Sequence, residues 1–295
     1  MKGLDLSRAY YEACRDTLLA PWPDYRARIA AGLVGHGSEC FGFDDDASRD
    51  HDFGPDFCLW LRAEDYAAIG AELQSAYEAL PRAFAGYPPR RTNARSGKRV
   101  GVFSIPYFYA EFLGAPELPI SEVDWRQIPE ENLACVTNGA VFEDPTGEFS
   151  RLRASLLAYY PERLRRLKLA QAVAKMAQSG QYNLPRAVAR KEPVTAALAQ
   201  AEFLRQTCLA AHALNRRFAP FYKWLHASLG RLPRLAELHA MLATLARTRP
   251  EEAGPLVEAI CARLLSELVS AGLARPGDAF LEAHVNEIVE GFGEL

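Results

Sequence analysis

Between Gly35 and Asp56 the chain carries seven acids (Glu39, Asp44, Asp45, Asp46, Asp50, Asp52, Asp56) and one base, Arg49. The stretch opens with Gly35-His36-Gly37-Ser38 after an apolar run (Ala30, Ala31, Leu33, Val34). It closes against a second apolar run, Phe57 to Leu61. Like charge at that density is unfavourable unless a cation balances it, and hard divalent cations take carboxylate oxygens. Asp50 and Asp52 are two residues apart, and on an extended chain such residues point to one side. Two carboxylates that close repel one another unless a cation lies between them. They are the candidate ligands of Mg²⁺, which keeps several waters and shares its shell with substrate phosphates. His51 then points away and is read as structural. Gly37 and Ser38 form a glycine turn leading into a short helix, an arrangement that aims backbone N–H groups at an anion. Gly37 would let a phosphate approach the backbone, and Ser38 adds a hydroxyl donor. Asp44 and Asp45 read as a solvated turn.

These residues need a framework. A chain of 295 residues suffices for one large domain or two ordinary ones. With 49% apolar and 24% charged residues it has the composition of a soluble globular protein, which excludes a disordered or collagen-like chain. No apolar run reaches the ~18 residues of a membrane span, so no membrane partner is expected. The first residues, Met1-Lys2-Gly3-Leu4-Asp5, lack the apolar core of a signal peptide. The six cysteines are scattered without C-x-x-C spacing, which suits reduced, buried thiols in a cytoplasmic protein. Net charge is only -3, but residues 151–192 hold ten bases and two acids, an excess of eight. An acidic cluster early and a basic one later suit a metal and polyphosphate site, although a solvated basic face would read the same.

The periodicity predicts helices over Ser7–Leu19, Pro23–Ala30 and Ala63–Leu80, and strands over Ala31–Val34, Phe57–Leu61 and Arg99–Ile105. Pro81 to Lys98 reads as a loop, and Tyr107 to Leu113 as a helix on the sheet. The domain boundary is expected between Pro116 and Pro145, giving domains 1–125 and 126–295. Thr137-Asn138-Gly139-Ala140 and Asp144-Pro145-Thr146-Gly147 carry turn chemistry. Beyond them helices are expected at 150–160, 161–179, 194–214, 220–229, 233–248, 250–271 and 276–292. Many open with proline near the first helical position. The expected fold class is α+β: a small mixed-sheet N-terminal domain followed by an α-helical bundle.

A Gly-Ser turn, a gap of about a dozen residues and then Ser48-Arg49-Asp50-His51-Asp52 before a buried strand resembles the nucleotidyltransferase superfamily typified by DNA polymerase beta and the kanamycin nucleotidyltransferases. The longer string from Gly35 to Pro55, with Asp50-His51-Asp52-Phe53-Gly54-Pro55, looks closer still to a bacterial branch of that superfamily in which a helical domain follows the catalytic one. A second segment, His212 to Leu225, is similar to the helical stretch that aminoglycoside nucleotidyltransferases place against the nucleotide. The resemblance implies that Gly37 and Ser38 hold the β- and γ-phosphates of a nucleoside triphosphate, with ATP the expected substrate. It implies that Asp50 and Asp52 bind Mg²⁺, with two ions possible. An acceptor hydroxyl would attack the α-phosphate and pyrophosphate would leave. Lys223, with Tyr222 beside it, is the candidate cation for the triphosphate. The acceptor is not named by any residue; a small molecule, a protein or an RNA would each serve. One departure stands out. The superfamily places a third carboxylate on a later strand, and Arg99 to Ile105 has none; Glu39, Asp46 and Asp56 are the substitutes at hand.

The departure keeps a different class of reading open, a catalytically inactive nucleotide-binding or regulatory interaction module of the same fold. A third is a helical scaffold that binds RNA through residues 151–192. A further polar patch, Gly180 to Arg186, suits either an anionic ligand or ordinary turn chemistry.

Overall fold

In chain order, the first elements are α1 (Gly3–Leu19), α2 (Pro23–Arg26), β1 (Ala30–Leu33), α3 (Ser38–Phe41), β2 (Cys58–Leu61), α4 (Ala63–Glu78), β3 (Gly101–Ser104) and α5 (Ile105–Leu113). They are followed by α6 (Glu122–Gln127), α7 (Glu130–Thr137), β4 (Ala140–Glu143) and α8 (Glu148–Leu157). The computed structural model describes residues 1–49, 52–91, 97–119 and 121–290. The chain divides into two compact units, Met1–Ala158 and Tyr159–Leu295.

The first unit is built on a four-stranded mixed sheet in the order β3-β2-β1-β4. β1 pairs antiparallel with β2 and β4, and β2 pairs parallel with β3, the crossover running through α4. The apolar run of β2 is unbroken because both its faces are covered. Phe57, Leu59 and Leu61 join Tyr10, Tyr11 and Leu18 of α1 and Ile69 and Leu73 of α4 in one core. Trp60 points the other way and stacks on Phe149 of α8, ring centroids 3.9 Å apart, with Phe108 of α5 at its edge. The α+β class and the three expected strands are present.

β4 was not expected, and it moves the division of the chain. Ala140-Val141-Phe142-Glu143 pairs with β1 across a register irregularity at Ala31/Gly32, so residues 126–158 belong to the sheet unit. The unit therefore ends at Ala158 rather than at residue 125. Asn138-Gly139 is the turn that was read there, but it opens a strand.

The second unit holds α9 (Glu162–Met176), α10 (Leu184–Ala189), α11 (Pro193–Leu214), α12 (Tyr222–Leu229), α13 (Leu238–Leu245), α14 (Gly254–Ser270) and α15 (Val285–Glu290) around an apolar core. Helical periodicity made these elements legible; the structure shortens them. Residues 233–237 lie before α13, and a single 276–292 helix is replaced by a 3₁₀ turn, Leu281–His284, and α15. Between α9 and α10 the chain runs as a π-helix, Ala177–Asn183. Gly180 sits there against Phe203 of α11, whose ring would lie 2.3 Å from an added Cβ. Gln181 bonds the Ala279 carbonyl and Glu258, and accepts from the Leu281 N–H. Tyr182 lies under the Arg186 guanidinium, 3.6 Å from its ring centroid. This patch joins helices.

Candidate functional site

The acidic stretch folds into several local structures, each with its own cation. α3 begins at Ser38, with Gly37 as the residue before it at φ 119°, a conformation that favours glycine. Glu39, second in that helix, is 1% exposed, and its Oε1 lies 2.5 Å from the Arg90 guanidinium. Arg90 comes from the loop after α4, and its side chain is only 3% exposed. Its Nε pairs with Asp56 at 3.2 Å, its Nη1 donates to the Asp52 carbonyl at 2.6 Å, and its Nη2 also reaches the Gly54 carbonyl. Tyr77 of α4 donates to the other Asp56 oxygen at 2.8 Å. Burial lifts the Glu39 carboxyl above its ordinary range, and the Arg90 charge opposes that lift.

Asp52 is 7% exposed and has φ 54°, the left-handed region. Its N–H donates to the Arg91 carbonyl at 2.8 Å, so the loop holds both sides of this residue's backbone. Its Oδ2 pairs with Arg99 at 2.6 Å, just before β3. Its Oδ1 is buried with no hydrogen-bond partner among the described residues. The extended chain assumed for Asp50 and Asp52 is therefore absent at Asp52, and the same-side argument does not apply to it. Asp50 and His51 lie outside the described residues. Gly37 and Asp52 do come together: a Cβ on Gly37 would stand 4.0 Å from the Asp52 carbonyl oxygen. Ser38 is half-buried beside them.

Asp44 is not a solvated turn residue. It is buried, and its Oδ2 accepts the Gly3 N–H at 2.9 Å, close to the start of α1, with Lys2 nearby. Asp45 is exposed and closes a turn by accepting the Ser48 N–H. Asp46 is exposed and pairs with Arg49. Of the proposed substitutes for a third carboxylate, Glu39 and Asp56 are thus committed to Arg90 and Asp46 to Arg49. The imbalance that suggested a metal is met by Lys2, Arg49, Arg90 and Arg99. Among the described residues, no group of three His, Cys, Asp or Glu is arranged to hold a metal ion.

His36 stands in the glycine turn with its ring on Phe112 and its Nδ1 3.6 Å from the Cys135 thiol. Burial and then Arg99 lower its pKa, while Asp52 and Glu111 pull it up. The six cysteines are free and buried. Burial pushes the Cys135 thiol up to about 12, which makes it a poor nucleophile. Arg90 and Arg99 also border a cavity of about 470 Å³ with Tyr10, Tyr77, Arg82 and Lys98.

Tyr222 and Lys223 open α12 in the second unit. Tyr222 is 73% exposed, its ring 4.4 Å from that of Phe221, and the Lys223 ammonium lies over Trp224. Part of the basic stretch is neutralised within the unit, since Glu162 pairs with Arg165, Arg166 and Arg216. Arg90 and Arg99 were missed in the sequence. The only signal was a surplus of arginine in a loop next to a surplus of acid.

Comparison with known proteins adds three findings. Residues 125–225 match a domain family of unknown function, DUF4037. That match includes Tyr222 and Lys223 and leaves out the whole acidic stretch. No curated protein matches the chain. A crystal structure of a nucleotidyltransferase-like protein from Exiguobacterium sibiricum 255-15 is similar at 11% identity, covering 94% of this chain and 90% of that one with a TM-score of 0.38.

Proposed function

We propose that the first unit is a nucleotidyltransferase domain. It would move a nucleoside monophosphate from a nucleoside triphosphate, ATP in the first instance, to a hydroxyl acceptor. Asp52 carries the reading. Among the described residues its Oδ1 is buried without a hydrogen-bond partner, as are oxygens of Glu39, Asp44 and Asp65, but Asp52 is the one whose backbone lies against Gly37, and its oxygen is a hard donor suited to a cation. In this reading Asp52, through Oδ1, and Asp50 would hold Mg²⁺. The ion, when bound, supplies positive charge against the phosphate oxygens. Gly37 leaves room for a phosphate beside Asp52, and the Ser38 hydroxyl donates to it. The acceptor oxygen bonds to the α-phosphorus as the bond to pyrophosphate breaks. Calorimetry with ATP and Mg²⁺ tests the proposal on the parent and on the Asp50→Asn, Asp52→Asn double variant. Equal affinity in both would sink it.

A second reading has its own observation. Arg99 already neutralises Asp52, and β3 (Gly-Val-Phe-Ser) carries no carboxylate. Both favour a module that binds a nucleotide or a partner without turnover. Labelled pyrophosphate released from ATP in the presence of any acceptor decides against it.

A further inference from the structure

The glycine turn is held in place by residues about a hundred positions away. The Gly35 N–H donates to Asn138 Oδ1 at 2.9 Å, and Asn138 Nδ2 donates to the Gly35 carbonyl at 2.8 Å. At the far end of the turn, the Gly139 N–H donates to the Cys40 carbonyl at 2.9 Å. His36, Gly37, Ser38 and Glu39 are strung between these two anchors. The anchors are themselves fixed. Arg153 of α8 donates from Nη2 to the carbonyls of Thr137 and Asn138, at 2.8 and 3.0 Å. Gly139 sits at φ 62°, where an added Cβ would lie 2.0 Å from the Leu33 carbonyl oxygen. Only a glycine lets the end of β1 approach so closely.

We infer that Asn138 is a positioning residue for the Gly37–Ser38 turn, fixing the Gly35 backbone through its N–H and its carbonyl so that the turn can receive a phosphate group. The inference rests on the nucleotide reading of that turn. Asn138 touches no ligand in this scheme; it acts through Gly35. A primary amide is suited to the task because it donates and accepts at once, matching the N–H and the carbonyl of one residue. A carboxylate of nearly the same size accepts but cannot donate at neutral pH, so it would oppose the Gly35 carbonyl. Misplacing a binding group by a small distance costs affinity even where the fold survives.

Asn138→Asp therefore separates positioning from filling. Amide hydrogen exchange and calorimetry with ATP and Mg²⁺ are measured on the full chain, with Ile69→Val in α4 as a variant that perturbs the core away from the turn. In Asn138→Asp, exchange at Gly35 and Gly139 should speed up about tenfold or more, exchange at Leu59 of β2 should stay put, and the Kd should rise about tenfold. Ile69→Val should leave the Kd unchanged. If the Asp variant does not fold, Asn138→Ala, which removes both bonds without adding charge, should move the Kd in the same direction. Faster exchange with an unchanged Kd overturns the inference, because Asn138 would then be merely structural. A parent protein that does not bind ATP overturns the nucleotide reading and this assignment with it. A parent that binds beside a variant that binds equally overturns this assignment alone.

Discussion

In the first unit one arginine serves two carboxylates; in the second one carboxylate serves three arginines. Arg90 is buried, and around it lie Glu39, Asp56 and the Asp52 and Gly54 carbonyls. Glu162 is 41% exposed and gathers Arg165, Arg166 and Arg216 at 2.6–3.0 Å. Among the described residues the buried cluster leaves oxygens without partners, Glu39 Oε2 and Asp52 Oδ1, while the Glu162 oxygens are both engaged. At a surface, water completes any shell, so surplus cations cost little. In the interior a missing partner is costly, and an acceptor left over there marks a place where something else could bind.

The contrast can be broken most directly at Arg90. Arg90→Met should destabilise the first unit by about 3–5 kcal/mol, since it strands buried charges. Urea unfolding in a Trp224→Phe background, where the remaining tryptophans report the first unit, measures it. A loss below about 1 kcal/mol would mean the cluster is wetter than its burial indicates. Arg99→Met should cost about 1–3 kcal/mol by unpairing Asp52. Added Mg²⁺ should restore more stability to this variant than to the parent, because a ligand of the folded state raises its stability. An identical Mg²⁺ response in both would argue that Asp52 takes no cation.

The Arg90 network was the least legible part of the site. Each acid it touches was visible as an acid, but which cation would meet it depends on a loop returning from 34 to 51 residues away. Asp44 was misread for the same reason, its partner being the Gly3 N–H at the other end of α1. β4 was hidden because four residues between two turns carry too little alternation to declare a strand. β2, by contrast, announced itself through five consecutive apolar residues, and α11 through its spacing. Gly37 was legible as a turn glycine, and its backbone lies in the region that favours glycine. The left-handed backbone of Asp52 left no trace in the sequence.

Glu162 should respond more weakly than either arginine. Glu162→Gln should cost about 0.2–1 kcal/mol at pH 7. Hydrogen bonds from Arg165 hold the Glu162 carboxyl down at about 2, below its ordinary 4.5. Its stabilisation is therefore present above about 4.5 and fades as pH falls toward 2, where parent and variant unfolding curves should meet. A gap that widens on acidification would contradict the pairing. The smallest effect is that of salt. Raising NaCl to about 1 M should shrink the Glu162→Gln difference and leave that of Arg90→Met nearly intact, because screening reaches exposed pairs first.

A consequence follows for anyone who would isolate the motif. A peptide from Gly35 to Asp56 would contain every carboxylate of the acidic stretch and both residues of the Gly-Ser pair, yet neither Arg90, Arg99 nor Asn138. Nothing in it would bend Asp52 into the left-handed region or seat Gly35. Such a fragment would be a floppy polyanion that collects divalent ions loosely through the ordinary attraction of many carboxylates, with no preferred stoichiometry. The partners that shape the stretch, Arg90, Arg99 and Asn138, reach it only by chain return over long sequence distances.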